Sequence, residues 1–143
     1  MMTFNVHAES EGLKLDAEAG RHKLVFDEGS SMGGMDQGPN PMQTALASLA
    51  ACENITANMV AREMGLELEG IEFTIEGSFN PKGFMGDTSV RPYFETVQIQ
   101  AKVDADASEE QLRDLQEKVE ARCPVYTMMK AADVQFQDIW ERA

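Results

Sequence analysis

Residues 40–65 constrain this chain more than any other stretch. Asn40 suits a helix N-cap, Pro41 the first helical position, and Gln43 the residue that closes a capping box. The pattern predicts a helix to about Met64, with Gly65 as its C-cap. Its first half, Met42 to Cys52, is apolar or small on nearly every side. A helix apolar all round is a buried, central one, and these alanines with Ser48 let a second helix approach closely. The second half turns amphipathic, with Asn54, Asn58, Arg62 and Glu63 as its polar markers.

The segments on either side read as strands and shorter helices. Thr3–His7, Leu13–Asp16 and His22–Phe26 alternate and are separated by turn-like residues, which predicts an antiparallel meander. The Gly-rich stretch 29–38 is either a flexible connector or a lid over an apolar ligand, since methionine adapts to varied shapes. After the long helix, Ile71–Gly77 alternates strictly and predicts a strand with one buried face. An irregular excursion from Asn80 to Pro92 follows. A second strand is expected over Phe94–Val103, with a phase slip after Phe94 that marks either a bulge or the strand's true start. Ser108 and Gln111 make a second capping box ahead of the stripe Leu112, Leu115 and Val119. A further helix is expected from Cys123-Pro124 to about Ala132, and a last strand over Val134–Trp140.

At 143 residues the chain is expected to be one domain, 1–143, long enough to bury a core. Twelve basic residues stand against twenty-five acidic ones, for a net charge of −13. Nucleic acid and anionic membranes need clustered Lys and Arg, so neither is expected as a partner. No apolar run suits a membrane span and no secretory signal opens the chain, so a cytoplasmic location is the expectation. Thiols are kept reduced there, and a disulfide would be transient and catalytic. Two cysteines outside any CxxC cluster do not suggest a metal site.

Those cysteines sit in contrasting settings. Cys52 lies in the run Ala45-Leu46-Ala47-Ser48-Leu49-Ala50-Ala51-Cys52, where burial would raise its pKa. On residues alone it is a small hydrophobe filling a helix interface. Cys123 precedes Pro124 and so occupies an N-cap, where free amides and the helix dipole favour an anion. Arg122 beside it would add positive potential. Local electrostatics therefore predict Cys123 to be the more acidic thiol.

Gly38-Pro39-Asn40-Pro41 leading into an Ala-rich helix with Cys52, and then Cys123-Pro124-Val125 opening a late helix, resemble the OsmC/Ohr family of thiol-dependent peroxide-detoxifying proteins. The resemblance spans almost the whole chain. It implies an α+β, OsmC-like fold with antiparallel sheets packed around long central helices in an intertwined homodimer. It also implies that Cys52 is the peroxidatic thiol and Cys123 the resolving thiol. In well-characterised peroxidases of the family, Glu follows the Asn-Pro step and a hairpin Arg stabilises the thiolate. Here Met42 and then Gln43 follow Asn40-Pro41, and the hairpin region Ala8–Ala19 contains Lys14 but no Arg. Gln43, Lys14 and Arg21 are the candidate thiolate-stabilising residues, and the chain resembles the OsmC-like branch more than the dedicated organic hydroperoxide reductases.

The resulting expectation is a peroxidase that reduces organic hydroperoxides or hydrogen peroxide through Cys52 and Cys123. An external dithiol would serve as reductant, with no metal, haem or flavin. Met32, Met35, Met42 and Met128 are candidates for an apolar peroxide pocket. Arg91 is a further candidate cation, and Glu53 is expected at the dimer edge as a polar contact. The alternative is a non-enzymatic dimer of the same fold that holds a small apolar ligand, with the cysteines as bystanders.

Overall fold

The computed structural model describes residues 1–143, in two compact units, Met1–Ala45 and Leu46–Ala143. In the first, β1 (His7–Glu11), β2 (Lys14–Ala19) and β3 (His22–Phe26) form the antiparallel meander. Two-residue turns set its register. Glu11 pairs with Lys14 across Gly12, at φ +61°, and Ala19 pairs with His22 across Gly20, at φ +63°. Both glycines take the left-handed conformation that a side chain resists. The turn at Gly12 also explains why β1 is not the expected Thr3–His7. Pairing starts at the turn and runs backward, so His7–Glu11 become the strand instead.

The Gly-rich stretch after β3 is a tied loop, with one 3-10 turn at Ser30–Met32. Buried Asp27 accepts hydrogen bonds from the amides of Glu28 at 2.8 Å, Met35 at 3.2 Å and Gln37 at 3.3 Å. Its own amide donates to the Pro39 carbonyl at 3.2 Å. The Glu28 amide above all, joined by Gln37, Met35 and the Lys14 charge, holds the Asp27 carboxyl below its usual range despite burial. Gly34 and Gly38 are needed because a Cβ at either would collide with the backbone carbonyl of Glu28 or Val25.

The long helix α1 (Pro41–Met64) begins as expected. The Gln43 amide donates to Asn40 Oδ1 at 2.8 Å, and the Asn40 amide donates to Gln43 Oε1 at 3.1 Å. Gly65 follows at φ +71°. Leu49, Glu53, Thr56, Ala57, Val60 and Ala61 form its buried stripe. Within one chain the helix is thus buried along a single stripe, and Ala47, Ser48, Ala51, Ile55 and Met59 are exposed. The all-round burial expected of its first half does not occur in the isolated chain.

The second unit carries a sheet in the order β4 (Leu68–Ser78), β5 (Thr96–Ala105), β6 (Gln135–Arg142). The short α2 (Pro81–Phe84) lies between β4 and β5, while α3 (Glu109–Arg122) and α4 (Pro124–Ala131) lie between β5 and β6. β4 pairs antiparallel with β5, but β6 pairs parallel to β5. The expectation of antiparallel sheets therefore holds for the meander and fails at β6. The crossover through α3 and α4 returns the chain in the direction of β5. Strand β5 starts at Thr96, which resolves the phase slip: Phe94 precedes the strand and packs its ring over Gly77.

One face of β5, with Val97, Ile99, Ala101 and Val103, is buried. The core joins Ala57, Val60 and Ala61 of α1 to Ala101 and Val103, to Leu112, Leu115 and Val119 of α3, and to Trp140 of β6. Each fully buried aliphatic side chain there is worth about 1.5–3 kcal/mol relative to exposure. The α3 capping box is present in both directions, Gln111 amide to Ser108 Oγ at 3.1 Å and Ser108 amide to Gln111 Oε1 at 2.9 Å. No helix is long and apolar enough to cross a membrane.

Candidate functional site

Both cysteines belong to the second unit, and its fold brings them together. Cys52 is half-buried on α1, and Cys123 is fully buried between α3 and α4. The Cys52 thiol is a neighbour that bears on the Cys123 thiol, and both are free. Thr56 Oγ1 donates to the Cys52 carbonyl at 2.8 Å, one turn along the same helix.

Cys123 occupies the expected N-cap, with φ −70° and ψ 116°, ahead of Pro124. Its Sγ accepts from the Tyr126 amide at 3.5 Å, which favours the thiolate. Burial outweighs that donor. It pushes the Cys123 thiol up to about 12, and the neighbouring Cys52 thiol and Glu53 push the same way. The expectation that Cys123 is an acidic thiol is therefore corrected. An N-cap amide is a local effect, whereas loss of solvent around the sulfur comes from the whole packed core.

The positive potential expected from Arg122 is likewise turned elsewhere. Its guanidinium makes a bidentate pair with Glu63 at 2.7 and 3.1 Å, both side chains partly exposed. Arg91 donates to the Asp133 carbonyl at 3.1 Å and lies 5.7 Å from the centre of the Tyr93 ring. Among the other candidates, Gln43 is engaged in the α1 capping box and Lys14 pairs with Asp16 at 3.7 Å. Arg21 is the exposed second residue of the β2–β3 turn.

The methionines are dispersed. Met32 and Met35 are exposed on the tied loop, Met42 is half-buried in the first turn of α1, and Met128 is exposed on α4. An apolar groove of about 490 Å³ in the first unit is lined instead by Leu13, Leu15, Phe26, Asp27, Glu28, Pro41 and Thr44.

Glu53 is the residue that sequence reading placed wrongly. It is not an edge contact: it is 0% exposed, and neither carboxyl oxygen has a hydrogen-bond partner. Burial raises it to about 8, with the Asp138 and Glu120 carboxyls adding to the effect. Its helical spacing could have revealed this, because Glu53 stands four residues after Leu49 and four before Ala57, on the buried stripe. Around it, Tyr126 donates its hydroxyl to Asp138 Oδ2 at 2.7 Å, and its ring lies 4.2 Å from that of Phe136. Glu120 is raised to about 7, by burial first and by Asp138, against a hydrogen bond from Gln116 at 2.8 Å. The site is thus a thiol pair beside buried Glu53, with half-buried Glu120 and Asp138 behind it.

The OsmC-like protein family model matches residues 34–137, a span that contains both cysteines. The chain belongs to the OsmC-like family. Solved structures show the same fold. An OsmC-like protein from Mycoplasma pneumoniae is 17% identical, with a TM-score of 0.85 and 99% of each chain covered. An organic hydroperoxide resistance protein OsmC from Legionella pneumophila is 20% identical, with a TM-score of 0.75, covering 100% of this chain and 98% of that one. An organic hydroperoxide resistance protein from Elizabethkingia anophelis, with thiocyanate bound, is 18% identical at a TM-score of 0.75, with the same coverage. No curated protein matches the sequence. For this OsmC-like chain the likeness establishes the α+β fold.

Proposed function

We propose that this protein is a thiol peroxidase that reduces organic hydroperoxides or hydrogen peroxide. The observation that carries the reading is the pairing of half-buried Cys52 with buried Cys123, in a fold shared with organic hydroperoxide resistance proteins. The Cys52 thiolate attacks one peroxide oxygen and the O–O bond breaks. The leaving alkoxide or hydroxide takes a proton, and Cys52 becomes a sulfenic acid. Cys123 then displaces the sulfenic hydroxyl, forming a disulfide and releasing water. An external dithiol restores both thiols. Such a cycle suits the reducing cytoplasm, where an unused disulfide does not persist.

Reduced protein treated with cumene hydroperoxide is expected to lose two free thiols per chain while the peroxide is consumed. Retention of both thiols with no loss of peroxide sinks the reading.

We also propose a homodimer. Ile55 and Met59 leave an apolar pair exposed one turn apart on α1, at 63% and 51%, beside small Ala47, Ser48 and Ala51. Close helix packing against a second copy would cover them. Light scattering is expected to give a molar mass of two chains, and a stable monomer refutes it.

One observation favours the alternative, a carrier of a small apolar ligand: the groove lined by Leu13, Leu15, Phe26 and Pro41. Native mass spectrometry of the purified protein separates the readings. A co-purified apolar molecule retained after both cysteines are changed to serine favours the carrier.

A further inference from the structure

Two arginines line one groove in a chain whose net charge is −13. The groove, about 270 Å³, lies in the second unit, where α3 packs beside β6. Glu109, Leu112, Arg113 and Gln116 line it from α3, at the spacing that puts residues on one helix face. Trp140, Glu141 and Arg142 line it from the end of β6. It contains neither cysteine, and the exposed stripe of α1 contributes nothing to it.

Arg91 and Arg122 pair with Asp133 and Glu63. Arg113 and Arg142 are exposed and belong to none of the chain's ion pairs, although acidic residues far outnumber basic ones. Side chains alternate along a strand, so Trp140 and Arg142 share the face toward α3 and Glu141 projects from the other. There Glu141 Oε1 accepts from Gln100 Nε2 at 3.3 Å. The groove is left with two guanidiniums against one carboxylate, that of Glu109. Leu112 and Trp140, 5% and 9% exposed, give it an apolar floor. The Trp140 indole N–H is buried and has no acceptor in the protein. Unpaired cations and an unmet buried donor in the walls of one cavity suit a ligand that brings oxygens. We propose that this groove binds a small organic carboxylate with an apolar body. A guanidinium fork matches a carboxylate, which accepts two parallel N–H bonds from it. The apolar body covers Leu112 and the Trp140 ring. The volume suits a short-chain or single-ring acid rather than a long lipid. Inorganic phosphate would answer the charges and leave the apolar floor bare. Binding here involves no thiol chemistry, so it stands or falls apart from the peroxidase reading.

Trp140 is the single tryptophan of the chain, so its fluorescence reports on the groove. The test titrates reduced protein with hexanoate, hexanol and inorganic phosphate, reading that fluorescence and the heat of binding. Hexanoate is expected to give a saturable change, weakened by added salt. Hexanol and phosphate, each able to make only half of the contacts, are expected to bind at least about 10-fold more weakly. Arg113→Gln and Arg142→Gln are each expected to weaken hexanoate binding by about 10-fold. Glu109→Gln removes the opposing carboxylate and is expected to tighten it. All three side chains are exposed, so the variants should melt close to the wild type. No fluorescence change and no heat up to about 10 mM hexanoate overturn the proposal. Equal binding of hexanol overturns it as well, as does phosphate that binds as tightly as hexanoate. Unchanged hexanoate affinity in the double variant Arg113→Gln, Arg142→Gln would place the ligand elsewhere and has the same effect.

Discussion

Glu53→Gln is expected to be more stable than the wild type in alkaline buffer and nearly equal to it in acid. The sign follows from the proton count. The folded state holds the Glu53 proton up to about pH 8, whereas the unfolded chain releases it near 4.5. Between those values the folded state binds more protons, so the wild type loses stability as pH rises. Below 4.5 both states are protonated and the effect vanishes; above about 8 it is complete. Each pH unit between the two pKa values is worth about 1.4 kcal/mol, so the loss is on the order of 5 kcal/mol. Gln keeps the volume and never ionises. Its melting temperature is therefore expected to exceed that of the wild type by about 10 °C at pH 9, under reducing conditions. Glu120 still titrates in both proteins, so a smaller slope near 7 remains in the variant. Melting curves that stay parallel from acid to alkali would show that Glu53 is solvated and ionised throughout.

This residue illustrates where the sequence was readable and where it was not. Local chemistry was legible: Asn40 with Gln43, Ser108 with Gln111, and Cys123 with Pro124 start helices where the structure starts them, because a cap is made by neighbours in the chain. Long-range consequences were hidden. Nothing in Gln135–Arg142 states that β6 runs parallel to β5, since that follows from how α3 and α4 return the chain. The Cys123 N-cap predicts an acidic thiol, yet burial contributed by distant residues reverses it. The Arg122 side chain, adjacent to Cys123 in sequence, finds Glu63 on α1 instead. The Gln43 capping role was likewise written in the chain, and it commits the side-chain oxygen to the Asn40 amide.

Cys123→Ser is expected to separate the two halves of the proposed cycle with the largest change in activity. At neutral pH a thiol raised to about 12 is ionised in roughly one molecule in 100,000, so Cys123 is a poor first attacker. Serine caps a helix at least as well as cysteine, and its Oγ can accept from the Tyr126 amide that now reaches Sγ. The variant should fold with stability changed by no more than about 1 kcal/mol, so any loss of turnover is chemical. It is expected to consume one peroxide per chain and then stop, with Cys52 trapped as a sulfenic acid that dimedone labels. Turnover with a dithiol falls by roughly 100-fold or more, because an external thiol replaces a neighbour already held in place. Cys52→Ser, in contrast, is expected to show no first turnover at all. The reverse pattern, a burst from Cys52→Ser and none from Cys123→Ser, would make Cys123 the attacking thiol. Local N-cap electrostatics would then have prevailed over burial.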